Sequence, residues 1–235
     1  MRFEDTYNDA FTIGEIATVA ALMTFLETGR YDFESYALVA ILPDGAGISY
    51  GKNQATENSG SLRKVVQYYI EHNGQRMPEA VSYSGRLYGN GAPKGGLTDD
   101  EDFKSFLRET GKSDPVMQRA QRAVFHNEYM RPALGLASEY DITLPLGLLA
   151  IYDVCIQSGP SAAKKLLESF NESWAPPEKF DVDADGFIDD REFTKEEEEE
   201  LEIAFVDGFI AYRRNWLENF KNPRSPSHTK LVRST

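Results

Sequence analysis

A mainly α-helical, two-lobed domain with one small β or loop region forming a cleft is the fold class this sequence predicts, from three observations. Apolar residues recur at helical spacing through most of the chain, in places behind a clear capping box. One short, continuous apolar run is bounded by turn residues, as an isolated strand would be. The 235 residues are 41% hydrophobic and 12% aromatic, enough for one large domain or a main lobe with a smaller one.

The elements follow in order. Thr12 and Glu15 form a capping box, and Ile13, Ile16, Ala17, Ala20, Met23, Phe25 and Leu26 then place a helix over residues 13–27, ending near Gly29 in a left-handed cap. Residues 36–42 read as a strand or extended segment leading into Pro43, Asp44 and Gly45. Residues 44–60, rich in Gly, Ser, Asn and Thr, read as a loop. Residues 61–71 are helical again, and 85–97 read as a glycine-rich surface loop or linker. Further helices are expected over 99–110, 115–133, 144–157 and 161–170. Pro176 and Pro177 break the chain, and a second capping box, Thr194 with Glu197, opens a long helix to about residue 220. The glutamates at 196–200 suit its positive N-terminal dipole and need no binding role. Residues 1–222 are read as one domain and 223–235 as a polar tail, with no internal repeat.

A formal charge of −13 argues against nucleic acid and suits a cationic ligand or metal ions. Cys155 is alone, lies in an apolar run and reads as a small buried hydrophobe. No run of about 18 apolar residues spans a membrane and no cleaved signal is visible. Made in the cytoplasm, the chain would have to leave it by lysis, by delivery through a secretion system, or as a piece of a longer chain whose signal is missing; action in the periplasm or cell wall is what the resemblance given below implies. His72, His126 and His228 lack ligand spacing, which weighs against a metal-dependent hydrolase.

Residues 181–192, DVDADGFIDDRE, carry the pattern of an EF-hand calcium loop. Asp181, Asp183 and Asp185, the Phe187 carbonyl, Asp189 directly or through water, and bidentate Glu192 would supply oxygen to a hard cation, with Gly186 making the sharp turn and Ile188 packing inward. Sensor proteins pair two such loops, whereas one stands here behind a helix shortened by prolines. The expected role of Ca²⁺ is structural, a clamp between this segment and the long helix after it.

Taken alone, Glu27 reads as a helix-terminal charge and Asp44 as a turn former. The run FLETGRYDFESYALVAILPDGAGISYG and the helix ending in VVQYY, however, resemble the catalytic segment of family 46 chitosanases in the lysozyme superfamily. DPVMQRAQRAVFHNEYMRPAL, GLLAIYDVCIQSGP and FIAYRR resemble that family's later core helices, so the likeness runs over about residues 13–220, interrupted by the calcium loop. It implies an α+β lysozyme-like fold and a glycan cleft. It also implies Glu27 as general acid, its pKa raised beside Phe25 and Leu26, and Asp44 as the base for an attacking water. Ser49 stands where the family has a water-positioning Thr. Inversion is implied, with carboxyls roughly 6.5–9.5 Å apart or somewhat more. Asp153 and Arg213 would form an ion-pair network behind the acid, a structural salt bridge being the equal alternative. Tyr50, Gln54, Thr56 and Asn58 are candidate sugar-binding residues.

The family grips cationic glucosamine with an acidic residue at the position of Ser61, and Glu57 is nearby but out of register. That departure favours an N-acetylated glycan, so the first expectation is a muramidase cutting peptidoglycan. The alternatives are a chitosanase acting on chitosan and a non-catalytic, calcium-dependent glycan-binding module. The expected partner is thus a polysaccharide, with an immunity protein or delivery machinery as further candidates, and the chain is expected to be a monomer.

Overall fold

The computed structural model describes residues 10–29, 33–41, 45–89, 91–183 and 185–219. Nearly all the regular structure is helical, with one three-stranded antiparallel sheet in order β1-β2-β3. The chain divides into two compact units, one of residues 20–128 and one of residues 1–19 and 129–235. Both boundaries fall inside helical segments.

Helix α1 (Ile13–Thr28) begins as predicted: Glu15 Oε2 accepts from the Thr12 N–H and Oγ1 at 2.8 Å, and Thr12 Oγ1 accepts from the Glu15 N–H at 3.2 Å. It stops at Gly29, which is left-handed (φ 69°) and donates to the Phe25 carbonyl at 2.7 Å. Its buried face is narrower than its apolar pattern. Ile16, Val19 and Met23 are buried, whereas Ile13, Phe25 and Leu26 are exposed.

In the unit of residues 20–128, a 3-10 turn (Phe33–Ala37) precedes β1 (Val39–Ile41). The strand is thus shorter than predicted, because Tyr36 lies in the turn and Leu42 outside the described residues. The stretch read as loop folds into a hairpin, β2 (Ile48–Tyr50) with β3 (Ala55–Thr56), whose burial of Ile48, Tyr50 and Ala55 replaces the missing alternation. Helices α2 (Ser61–Glu71), α3 (Met77–Ser84), α4 (Glu101–Ser113) and α5 (Pro115–Phe125) complete this unit. Helix α2 packs on α3, α5 and β3, and α4 packs on α5, on β1 and on the 3-10 turn. Gly111 permits that last approach, since a Cβ there would lie 2.2 Å from the Tyr36 carbonyl oxygen. Asp114 caps α5 at the Val116 N–H (2.9 Å) and accepts from the Tyr69 hydroxyl (2.7 Å) and the Gln75 N–H (2.9 Å).

The predicted helix at 115–133 changes register in a π-helical turn (His126–Met130) before α6 (Arg131–Glu139). In the second unit α6 packs on α7 (Pro145–Ser158) and α8 (Pro160–Ser173), and α7 and α8 pack on α9 (Lys195–Asn219). Phe170 is ringed by Phe205, Phe209 and Tyr212 at centroid distances of 5.0–5.6 Å. Glu202 of α9 accepts from the Thr143 and Leu144 N–H groups at 2.7 and 2.6 Å, an anion placed where α7 exposes free donors. Cys155 is a buried free thiol whose pKa burial pushes up to about 12, in keeping with a packing role. Among the described residues no helix is long and apolar enough to cross a membrane. The tail at 223–235 lies outside them.

Candidate active site

Glu27 lies in the last turn of α1, with its side chain outside the described residues, and Asp44 lies outside them entirely. Phe25 and Leu26 are 42% and 43% exposed, so these neighbours of Glu27 are not packed into an apolar pocket. The turn after Asp44 is described. Gly45 and Gly47 are both left-handed, with φ of 77° and 72°, a conformation that fits the Asp-Gly-x-Gly sequence.

Beyond this turn Ser49 occupies the central strand, facing Ala40 on β1 and Thr56 on β3. It is 4% exposed, and its hydroxyl has no hydrogen-bond partner among the described residues. A buried, unfilled hydroxyl is uncommon and fits a group kept for a bound water or substrate.

The candidate sugar-binding residues are engaged within the protein. Tyr50 is buried in the core and donates to the Leu107 carbonyl at 2.8 Å, so it offers nothing to a ligand; burial raises its pKa well above the ordinary phenol. Thr56 donates to the Ser59 hydroxyl at 2.7 Å. Asn58 uses both ends of its amide, donating to the Gly45 carbonyl at 2.7 Å and accepting from the Gly95 N–H at 2.8 Å. Gln54, left-handed at φ 53° in the hairpin turn, is half-buried, donates its backbone N–H to the Gly51 carbonyl at 3.1 Å and is also engaged within the protein.

Glu57 plays a part the sequence does not reveal. Its carboxylate is fully buried and accepts from the Leu97 N–H (2.8 Å), the Thr98 hydroxyl (2.9 Å) and the Ile48 N–H (3.4 Å). It is therefore a structural acceptor and cannot grip a cationic sugar. Gly47 is needed beside it, because a Cβ there would sit 2.9 Å from Glu57 Oε2. Ser61 is likewise occupied, its Oγ accepting from the Thr56 N–H at 2.8 Å and lying 2.8 Å from Ser59 Oγ. Gln121 of α5 holds the hairpin turn, accepting from the Lys52 N–H at 3.0 Å and donating to the Tyr36 carbonyl at 2.9 Å.

Asp153 and Arg213 form the expected ion pair between α7 and α9, largely shielded from solvent. Gln157 completes it, donating to Asp153 at 2.7 Å and accepting from Arg213 at 2.9 Å.

In the loop of residues 181–192, carboxylate oxygens of Asp181, Asp183 and Asp189 lie within 4.8 Å of one another. That spacing fits oxygen ligands about 2.4 Å from a shared cation. Gly186 is left-handed at φ 90°, and Asp185 accepts from the Phe187 N–H at 2.9 Å. Glu192 does not join the cluster, and Ile188 is 43% exposed rather than packed inward. The entering helix is only a 3-10 turn (Glu178–Phe180), and α9 begins three residues after Glu192, so the flanking helices of an EF-hand are reduced. The segment is nevertheless fastened to α9 by the Lys179–Glu200 and Arg191–Glu197 ion pairs.

The family model of Glycosyl hydrolase family 46 matches residues 21–226. Among solved structures, the fold is similar to that of a family 46 chitosanase of Gynuella sunshinyii in complex with chitotetraose, at 21% identity and a TM-score of 0.70, covering 95% of this chain and 87% of that one. It is also similar to a mutant chitosanase of Bacillus subtilis complexed with 6 GlcN (19% identity, TM-score 0.66, 94% and 86% covered). The native Bacillus subtilis enzyme gives 20% identity, a TM-score of 0.64 and coverage of 94% and 86%. No curated protein matches the chain significantly.

Proposed function

The chain belongs to glycosyl hydrolase family 46 and is a glycoside hydrolase, and from that membership we propose that it hydrolyses the β-1,4 bonds of chitosan. The observation that carries this reading is the family match across residues 21–226, which includes the Glu27 and Asp44 segments. The similar structures are chitosanases, one in complex with chitotetraose and one with 6 GlcN, and a net charge of −13 suits a polymer of protonated amines. This reverses the order of the two substrates expected from sequence.

Glu27 acts as general acid, protonating the glycosidic oxygen as the bond to the anomeric carbon breaks. Asp44 removes a proton from the water that attacks the opposite face, and the Ser49 hydroxyl orients that water. The anomeric configuration inverts.

One observation favours a second substrate. Ser61 stands where the resembled family carries its acidic anchor, and both it and Glu57 are occupied within the protein. Without that anchor an N-acetylated glycan such as peptidoglycan becomes a candidate. Mass spectrometry of products from chitosan and from purified sacculi separates the two. Glucosamine oligomers from chitosan support the proposal, whereas muropeptides with intact chitosan replace it with a muramidase. Glu27→Gln should lower kcat by about 10²–10⁴ on the true substrate, the range general acid catalysis supplies. Unchanged turnover would remove Glu27 from the mechanism.

The loop of residues 181–192 is proposed to bind Ca²⁺ through Asp181, Asp183 and Asp189, the carboxylates that lie together, with Asp185 and the Phe187 carbonyl as further oxygen ligands. Its role is to clamp the segment onto α9, where the two ion pairs already hold it.

A further inference from the structure

Three chain segments meet at Glu57 and Asn58: the turn at residues 45–48 that follows Asp44, the end of the hairpin, and the glycine-rich loop at residues 95–98. Asn58 is bonded to the first through two donors, its backbone N–H to the Ala46 carbonyl (3.0 Å) and its side-chain amide to the Gly45 carbonyl (2.7 Å). The same side chain accepts from Gly95 at 2.8 Å. Glu57 repeats the bridge one residue earlier, joining Ile48 to Leu97 and Thr98. A fully buried carboxylate makes no ion pair here among the described residues and is held by neutral donors alone. Such a group is costly to keep unless every donor stays in place, so it selects one arrangement of the three segments.

We infer that Glu57 and Asn58 are positioning residues for Asp44, locking the turn that carries it to the loop at residues 95–98. The inference rests on Asp44 being the base. Neither side chain touches substrate; each acts by fixing the backbone one to four residues beyond Asp44. The loop at 95–98 thereby becomes part of the site's support, although it carries no catalytic group.

Two mild variants test this. Asn58→Ala removes the amide bridge, and the near-isosteric Thr98→Val removes one donor to Glu57. Each is measured for kcat and KM on chitosan, or on sacculi if those are what the parent cleaves. Each should lose about tenfold or more in kcat, on the scale of a misplacement of about 1 Å or less, with KM changed by less than about twofold. The same changes are then made in Asp44→Ala with azide added. Azide bonds to the anomeric carbon as the glycosidic bond breaks and Glu27 protonates the leaving oxygen, so no base is required. In that background Asn58→Ala and Thr98→Val should cause no further loss. Equal losses in both backgrounds would show a general structural role and overturn the inference, as would parental kcat in both single variants. An Asp44→Ala protein as active as the parent would instead sink the assignment of the base, and the positioning role with it.

Discussion

The hairpin region at residues 45–60 and the loop at residues 181–192 both combine carboxylates with left-handed glycines, yet they satisfy those carboxylates in opposite ways. Glu57 is buried and takes its donors from Leu97 and Thr98, some forty residues away, as well as from Ile48. Asp181, Asp185 and Asp189 take theirs from Gly186, Phe187 and Val182 within the same short loop. A buried carboxylate without a cation must have its lone pairs filled from elsewhere in the fold, so it fixes distant segments against one another. A partly exposed cluster can be completed locally, and its like charges would repel less with a cation between them. One loop is thus built into its unit by neutral hydrogen bonds from distant segments, and the other closes mainly on itself, where the proposed calcium would sit.

The largest effect should come from Glu57→Ala, which strands the Leu97 and Ile48 N–H groups and the Thr98 hydroxyl. At about 1–3 kcal/mol for each buried donor left unpaired, stability should fall by at least about 3 kcal/mol, read as a lower urea midpoint. An unchanged midpoint would mean that water fills the site and would erase the contrast. Calcium removal should act next. At a concentration near one hundred times its Kd, calcium would stabilise by about 2.7 kcal/mol, so chelator should lower Tm in the parent and do little in Asp183→Ala. If parent and variant melt alike in calcium and in chelator, the acidic loop is a solvated surface.

Ser49→Ala sharpens the contrast from the side of chemistry. Its hydroxyl has no partner to lose among the described residues, so the change should leave Tm level or slightly raised while kcat falls. A lower Tm with normal kcat would show that the hydroxyl serves the fold.

The same contrast explains what the sequence made legible. The loop at 181–192 closes through bonds no more than nine residues apart, and both capping boxes close over three, so spacing alone displays them. The hairpin is set by contacts that spacing cannot show, such as Gln121 reaching Lys52 across 69 residues. Its strands are too short for a period to develop. Helix α3 has no side-chain cap to announce it, and the π-turn at His126–Met130 leaves an apolar pattern that reads as one continuous helix. Tyr50 and Asn58 were candidate ligands by residue type, but type does not reveal whether a polar group already has a partner. In Glu57 the only local hint was the glycine at 47, a sign of close approach without an indication of what approaches.

The smallest effect belongs to the start of α9, beside the proposed calcium loop. Glu197 is held down to about 2 from its ordinary 4.5, first by the Arg191 guanidinium and then by the Thr194 N–H. A depressed carboxylate pKa stabilises the fold fully above the unfolded value, and that contribution disappears as pH falls from about 4.5 through about 2. Arg191→Ala should therefore lower Tm slightly at pH 7, and the gap to the parent should close on acidification across that window. Both partners are solvent-exposed, so added salt should narrow the gap as well. Thr194→Ala removes the 3.2 Å bond from the Glu197 N–H and should cost about 0.5–1 kcal/mol, the lower part of the range for an exposed cap. A gap for Arg191→Ala that persists below pH 2 would trace to the stacking of the guanidinium 4.1 Å over Phe193 rather than to the ion pair.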